Sequence, residues 1–508
     1  MLLAASAAMV AAAVLEPPKL SCARSPLVPR APHVAVFMAD DLGFLDVSYA
    51  GSTLVKTPHL DALAQRSMVL SHFRAPTWCA PSRAAFMTGR HGWEVGMSSA
   101  MGWTALGRDS LLLPALLREI GYRTAIVGKL HLNPRTCMRH HTSGGPFGCG
   151  FDHQYGFVGG MSDYWEHHQT WSRDGVRLRE TGYMTELFAA EAERIVHGHA
   201  SGSHANASLF LWLALNAPHV PMQAPQEWID RQSASIADPN VRTYAAMVGA
   251  MDDAFGRAVG ALRSTGMLDH SLVLFASDNG GTQRAVARRP AASLTQPRDS
   301  RLTDTGPIIP AACNGGLRGG KGSPYEGGVR APAFIYWPSC LGSARRVSRI
   351  SAHMVDLFST IIVAASVGLP STQQPKLFNR LRKKAPHSMS LWGALAGSGA
   401  STSYGAPPPP PGLQSIGAAR HSSDPPEFSR RQLVLQVSAS SSSIMRGRWK
   451  LVLAARKCFG TPPQVSHEAS MPGYPADRWL LYQLAEEGGG MHGAGYHHHR
   501  NRSASSSS

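Results

Sequence analysis

The chain has 508 residues, 43% of them hydrophobic and 16% charged, which excludes a wholly disordered polymer and allows a large domain with a smaller one beside it. Lysine and arginine number 49 against 33 acidic residues, and this formal net charge of +16 favours anionic partners through long-range attraction. No zinc-ligand spacing and no aromatic–basic motif accompanies the charge, so nucleic acid is not an expected partner and the bias is toward acidic substrates.

Residues 1–20 begin with an alanine-rich apolar run, Met1–Leu15, that ends at Glu16-Pro17-Pro18. The run is too short to span a bilayer and matches the apolar centre of a secretory signal, although the usual positive start is missing. No transmembrane segment is expected. Seven cysteines suit an oxidising compartment; Cys137 and Cys149 could close a local loop, but spacing alone decides no pairing. Asn206-Ala207-Ser208 and Asn501-Arg502-Ser503 are glycosylation sequons if the chain is secreted.

Between residues 32 and 369 four apolar runs of strand length each end in polar residues. Val34–Met38 leads to Asp40-Asp41, Thr124–Val127 to Lys129 and His131, Leu209–Leu215 to His219, and Leu272–Phe275 to Asp278-Asn279. Near-continuous apolar strands predict a sheet covered on both faces. Helical patterns lie between them: one starts at Thr57-Pro58, and Leu111–Ile120 ends at Gly121. A third, Val241–Leu262, places Tyr244, Met247, Val248, Met251, Phe255 and Val259 on one face. The alternation predicts an α/β fold with a mainly parallel sheet sandwiched by helices, with ligands at the carboxyl ends of its strands. All four polar groups then converge on one edge.

The segment Ile350–Val367 closes this domain as an apolar helix opened by His353, Asp356 and Leu357. Residues 370–430, with basic Lys376–Lys384 and the prolines 407–411, read as a linker or insert in which Leu391–Leu395 docks on the core. Residues 431–486 read as a small antiparallel subdomain, with strands Leu433–Val437 and Trp449–Leu453, Ile444–Arg448 as the turn between them, and a further strand at Leu481–Leu484. Residues 487–508, including His497, His498 and His499, read as a flexible tail.

The chemistry is concentrated in Thr77-Trp78-Cys79-Ala80-Pro81-Ser82-Arg83, which runs on to Thr88-Gly89-Arg90. It sets a sulfur nucleophile and two arginines at the start of a predicted helix, where free N–H groups favour a tetrahedral anion. A thiol-phosphatase loop would need arginine six positions after the cysteine, and Ala85 stands there. Asp40, Asp41, Asp278 and Asn279 offer hard oxygen ligands from two strand ends, a set suited to Ca²⁺ or Mg²⁺ rather than zinc.

These motifs resemble the sulfatase family, whose C-x-P-S-R and T-G-R signature directs oxidation of the cysteine to formylglycine (3-oxoalanine) by a formylglycine-generating enzyme. The likeness covers most of Pro32–Leu369 and is closest to arylsulfatases of the N-acetylgalactosamine-4-sulfatase type, in the alkaline phosphatase superfamily. It continues in Gly121–Thr124 with Gly128-Lys129-Leu130-His131, in Ala217-Pro218-His219, and in Leu317–Lys321 followed by Tyr325–Arg330. The resemblance implies that Asp40, Asp41, Asp278, Asn279 and the side chain derived from Cys79 hold one divalent ion, commonly Ca²⁺. It implies that one hydroxyl of the hydrated aldehyde attacks sulfur and that His219 and Lys321 bind sulfate and protonate the leaving group. His131 then takes the proton that lets the hemiacetal expel sulfate, while Arg83 and Lys129 hold the hydrate, Lys129 also lying near sulfate. The implied substrate is an aryl or glycan sulfate ester, met in the secretory pathway, outside the cell or in a lysosome-like compartment. Two other readings keep the same residues: hydrolysis of phosphonate or phosphate esters, and non-catalytic binding of sulfated glycans with Cys79 unconverted. The sequence departs from the family in Leu130, where tryptophan is usual, and in the long stretch between Gly281 and Leu317, read as a lid or a disordered loop.

Overall fold

The computed structural model describes residues 31–98, 105–107, 109–133, 135–136, 148–282 and 312–396, together with four strands between 432 and 483. Its centre is a ten-stranded sheet. In chain order the strands are β1 (His33–Ala39), β2 (Met68–Leu70), β3 (Tyr122–Lys129), β4 (His153–Phe157), β5 (Ser172–Arg173), β6 (Val176–Arg177), β7 (Ser208–Ala214), β8 (Ser271–Ser277), β9 (Ala333–Tyr336) and β10 (Arg346–Ser348). Across the sheet they lie in the order β10-β2-β9-β8-β1-β7-β3-β4-β5-β6. The five central strands, β8-β1-β7-β3-β4, are parallel, whereas β9 runs antiparallel to both β8 and β2.

Strand periodicity explains why the apolar runs are continuous. Along β1, Val34, Val36 and Met38 enter one core while Ala35, Phe37 and Ala39 enter the other. On β7, Phe210 and Trp212 face the first core and Leu209, Leu211 and Leu213 the second. Each buried side chain of this size contributes about 1.5–3 kcal/mol, so a polar residue inside these runs would be costly on either face. Polar residues are deferred to the strand ends.

The helices cover both faces: α1 (Pro58–Ala64), α2 (Cys79–Thr88), α3 (Leu113–Glu119), α4 (Met184–Ser201), α5 (Pro239–Ser264), α6 (Met354–Ala365) and α7 (Gln374–Lys384). The apolar stripe predicted on α5, from Tyr244 to Val259, is buried. Asp238 caps that helix by accepting from the N–H groups of Asn240 (2.7 Å) and Val241 (3.4 Å). On α6 the predicted opening is a capping box: His353 Nδ1 accepts from Val355 N–H, and Asp356 accepts from His353 N–H at 2.9 Å.

Two sequence expectations need correction. Residues 374–384, read as part of a linker, form α7, because Leu377, Phe378 and Leu381 share one face and are buried while the basic residues point outward. Ordered structure therefore continues past 370 to Leu391 and Trp392, both fully buried. Trp392 Nε1 donates to the Thr360 carbonyl at 2.8 Å, and its ring meets Trp337 edge-on at 5.1 Å. Trp392→Ala is expected to lower the unfolding free energy by about 3–5 kcal/mol. An unchanged denaturant midpoint would show that this segment does not belong to the core.

The second correction concerns the small sheet, four antiparallel strands β11 (Gln432–Val437), β12 (Ser441–Arg446), β13 (Trp449–Ala455) and β14 (Asp477–Gln483). Ile444–Arg446, read as a turn, is the end of β12, which pairs on both sides. Its three serines have weak strand propensity, and ladder bonds to β11 and β13 override it.

Cys149 and Cys340 each take part in a disulfide with a cysteine outside the described residues, whereas Cys79 and Cys313 are free thiols. The expected signal, Cys22, Cys137, Cys458, most of the stretch between Gly281 and Leu317, residues 397–431 and the tail lie outside the described residues. Among those described, no helix is long and apolar enough to cross a membrane.

Candidate active site

Parallel register brings the four polar strand ends to one level. Ala39 pairs with Ser277, Met38 with Ala214, and Gly128 with Ala214, so Asp40, Asp278, Lys129 and the loop to His219 emerge side by side. Backbone bonds tie the exits together: Asp40 N–H donates to Ala217 O at 3.2 Å and Asp278 N–H to Ala39 O at 3.0 Å. Gly128 has φ +114°, and a Cβ there would lie 2.0 Å from the Ala214 carbonyl oxygen; only glycine lets β3 present Lys129 so close to β7. Cys79 is the first residue of α2, with Trp78 as its cap. Lys321 arrives on a loop held by bonds from Lys321 N–H to Gly281 O (3.1 Å) and from Gly322 N–H to Thr77 O (2.8 Å). The N–H of Gly281 in turn donates to Asn314 Oδ1 at 3.0 Å.

The predicted residues meet in one buried cluster. Ligand atoms of Asp40, Cys79 and His219 all lie within 4.8 Å of one another, as do those of Asp40, Asp41 and Asp278. Arg83 donates twice to Asp278 Oδ2, at 3.0 and 2.9 Å, and lies 3.6 Å from Asp40. It also donates to the backbone carbonyl of Lys129, whose own ammonium pairs with Asp40. Lys321 Nζ donates to Asp41 Oδ2 at 2.8 Å. Three buried carboxylates thus face three cations, and no charge stands uncompensated far from its partner. His219 Nδ1 bonds the Val220 carbonyl at 2.6 Å, which leaves Nε2 facing Asp41 Oδ2 at 3.7 Å.

These charges set the protonation states. Burial raises the Cys79 thiol, but Lys129 and Lys321 outweigh it and bring it down to about 7. Burial, followed by Lys129 and Arg83, holds His131 well below the usual imidazole range, so it is neutral. Burial and the neighbouring Asp40 charge push Asp278 well above the usual carboxylate range. Asp40 goes the other way: burial opposes its ionisation, yet Lys129, His219, Arg83 and Lys321 together hold it low.

The donor set fits a hard divalent cation. Asp40 Oδ1 and Asn279 Oδ1 are buried acceptors with no hydrogen-bond donor. A buried acceptor without a partner costs about 1–3 kcal/mol, and a cation between them would remove that penalty. Asn279 is held for this by its Nδ2, which donates to Asp41 Oδ1 at 2.8 Å. With carboxylate and amide oxygens predominating, Ca²⁺ or Mg²⁺ matches better than a thiophilic metal.

One sequence expectation fails at this site. Arg90 sits beyond the far end of α2 and pairs with Glu94 at 3.9 Å, so it does not join Arg83 around an anion; the length of the helix, about 15 Å, separates it from Cys79. Sequence reading also missed supporting groups. Asp46 accepts from Gly43 N–H, Cys313 N–H and Tyr244 O–H at 2.8, 2.9 and 2.6 Å, fastening the Asp40 loop to the residues before Lys321. Burial raises its carboxyl to about 6 despite those bonds. Tyr164 O–H donates to the carbonyls of Asn216 (3.0 Å) and His219 (2.9 Å). Neither residue lies in a motif, and only the folded chain reveals its contacts.

Comparison with known proteins agrees with this geometry. The sulfatase family model matches residues 32–367. Arylsulfatase J of Mus musculus is 32% identical over 352 residues, covering 66% of this chain and 52% of its own length. N-acetylgalactosamine-6-sulfatase of Sus scrofa is 28% identical over 371 residues, covering 68% and 64%. The chain therefore spans about half to two thirds of the length of these curated relatives. Among solved structures, Ps i-CgsB in complex with k-i-k-neocarrahexaose superposes with a TM-score of 0.61 at 24% identity, covering 89% of this chain and 86% of that one. That likeness concerns the fold alone. With its family match running from the start of β1 to the end of α6, through every strand end that meets at Cys79, the chain belongs to the sulfatase family.

Proposed function

We propose that this chain is a hydrolase of sulfuric esters, aryl or glycan, working in the secretory pathway or beyond it. In this reading Cys79 is converted to formylglycine by a formylglycine-generating enzyme. Asp40, Asp41, Asp278, Asn279 and the converted side chain hold one divalent ion, Ca²⁺ or Mg²⁺. The observation that carries the proposal is the placement of the Cys79 sulfur within 4.8 Å of ligand atoms of both Asp40 and His219, in a buried site that also holds Lys129 and Lys321. The sulfur stands where the oxygen of the converted side chain would be.

Once formed, the hydrated aldehyde supplies a hydroxyl nucleophile and a second hydroxyl whose loss of a proton lets sulfate depart. The bound cation supplies charge stabilisation to a sulfate oxygen and lowers the pKa of the attacking hydroxyl. The protein residues do the rest. Lys129 and Lys321, now on Asp40 and Asp41, are the cations placed to meet the remaining sulfate oxygens. His219, with its Nδ1–H on the Val220 carbonyl, presents Nε2 on the Cys79 side and as the imidazolium gives the Nε2 proton to the leaving oxygen. Neutral His131 accepts the proton in the releasing step. Arg83 holds the Asp278 carboxylate and the Lys129 backbone together, keeping β3 and β8 in register at the site. Exposure of the Asn206 sequon is consistent with a secretory route.

Intact mass of the peptide containing Cys79, from protein made in a cell that has the converting enzyme, tests the proposal. The expected peptide carries CHO in place of CH₂SH and reacts with a hydrazine probe. A peptide that keeps its thiol in every preparation overturns the formylglycine route.

A further inference from the structure

Among the described residues, two groups of donors close enough to hold a metal ion meet in this cluster, and they share only Asp40. Asp40, Asp41 and Asp278 form one, made of oxygen alone; Asp40, Cys79 and His219 form the other, with ligand atoms again within 4.8 Å of one another. The second group is of a different chemical kind. It offers one sulfur, one imidazole nitrogen and one carboxylate oxygen, a mixture that suits a borderline-soft ion such as Zn²⁺ and that hard cations bind poorly.

Each of the three donors is prepared by its neighbours. His219 Nδ1 is spent on the Val220 carbonyl at 2.6 Å, so the neutral ring turns the lone pair of Nε2 inward. A backbone carbonyl commonly fixes a metal-ligating histidine in this way. Tyr164 O–H holds the carbonyl of His219 itself at 2.9 Å and steadies the loop that carries the ring. Asp40 Oδ1 is a buried acceptor without a hydrogen-bond donor, while Lys129 and Arg83 lie on its Oδ2. Cys79 is a buried free thiol placed by the first turn of α2, and its sulfur shares a hydrogen bond with His219.

The group also has room to close and a way in. Zinc bonds of about 2.0–2.3 Å set tetrahedral ligand atoms about 3.3–3.8 Å apart, so side-chain movements of about an ångström suffice. His219 and Lys321 keep 8% and 11% of their side chains exposed, against 0% for Asp40 and Lys129, so an ion reaches the sulfur from the His219 side.

We infer that the chain with an unconverted Cys79 binds one Zn²⁺ through Asp40 Oδ1, Cys79 Sγ and His219 Nε2, with water as the fourth ligand. Binding releases the thiol proton to solvent and leaves a thiolate–zinc bond. Because Asp40 belongs to both groups, zinc excludes the hard cation. A side chain with oxygen in place of the sulfur loses the zinc preference, so the chemical state of residue 79 selects the metal. The inference concerns the thiol form and does not depend on the hydrolase reading.

Full-length protein made without the converting enzyme tests it, with the mass of the Cys79 peptide confirming the thiol. After metal is stripped by a chelator, Co²⁺ is titrated in as a spectroscopic substitute for Zn²⁺. A near-ultraviolet thiolate-to-cobalt band is expected to saturate at one equivalent and to disappear on addition of one equivalent of Zn²⁺. In Cys79→Ser the band should vanish and zinc affinity, measured against a chromophoric chelator, should fall by about 100-fold or more. His219→Ala should weaken zinc by about tenfold or more. Asn279→Ala, which touches the oxygen set alone, should leave zinc affinity within about twofold. A band that persists in Cys79→Ser puts the metal on another thiol and overturns the inference. So does a parent without the band, or an Asn279→Ala that weakens zinc as much as His219→Ala. None of these outcomes bears on whether the cysteine can be converted, so the hydrolase reading stands or falls separately.

Discussion

Cys79→Ala is expected to abolish turnover of 4-nitrophenyl sulfate, a loss of roughly 10⁴-fold or more, as when a covalent nucleophile is deleted. The residual rate would come only from the surrounding cations, which still bind the anion. Folding should survive, because Cys79 begins α2 and the substitution removes one sulfur while keeping Cβ; about 1 kcal/mol of stability is the expected cost. Chevron or denaturant midpoints close to the parent, together with lost turnover, separate chemistry from collapse. Retained turnover would sink the covalent route through residue 79.

Asp40→Asn should produce the second-largest effect, by two routes. It preserves shape but removes a charge that Lys129 and Arg83 both address, leaving the fully buried Lys129 without its carboxylate. Breaking one side of a buried pair costs about 3–5 kcal/mol. It also weakens the proposed cation site at the residue whose Oδ1 is an unpartnered acceptor. Turnover should fall by roughly 10²–10³-fold. Metal linkage gives a readout independent of activity: saturating Ca²⁺ should raise the thermal midpoint of the parent and have little effect on the variant. An equal Ca²⁺ response in both proteins would place the ion elsewhere.

The two results address different parts of one cluster. Cys79 tests the group proposed to react, whereas Asp40 tests the charge balance around it. His131 is held neutral by burial and by Lys129 and Arg83, so weakening the Lys129–Asp40 pair also reaches the proposed proton acceptor. Effects at Cys79, Asp40 and His131 are therefore expected to be non-additive.

Much of this was legible in the linear chain because it depends on local periods. The burial of Val34 to Ala39 on both faces, the stripe from Tyr244 to Val259 and the apolar helix opening at His353 and Asp356 follow from strand and helix geometry over a few residues. The Cys79 motif and the polar strand ends were likewise visible without coordinates. Where local signals were weak, the reading failed: serines hid β12, and a run of lysines and arginines hid the apolar face of α7.

By itself the sequence determined the α/β class and singled out Cys79 and the charged groups that gather round it, because each is written in short-range pattern or residue chemistry. Only the tertiary structure decided the pairing, which joins Lys321 to Asp41 across 280 positions and Arg83 to Asp278 across 195. It also removed Arg90 from the anion site and brought Tyr164 to the His219 carbonyl. Such contacts depend on strand register and loop path, and these are set by the packing of the whole sheet rather than by any neighbouring residues.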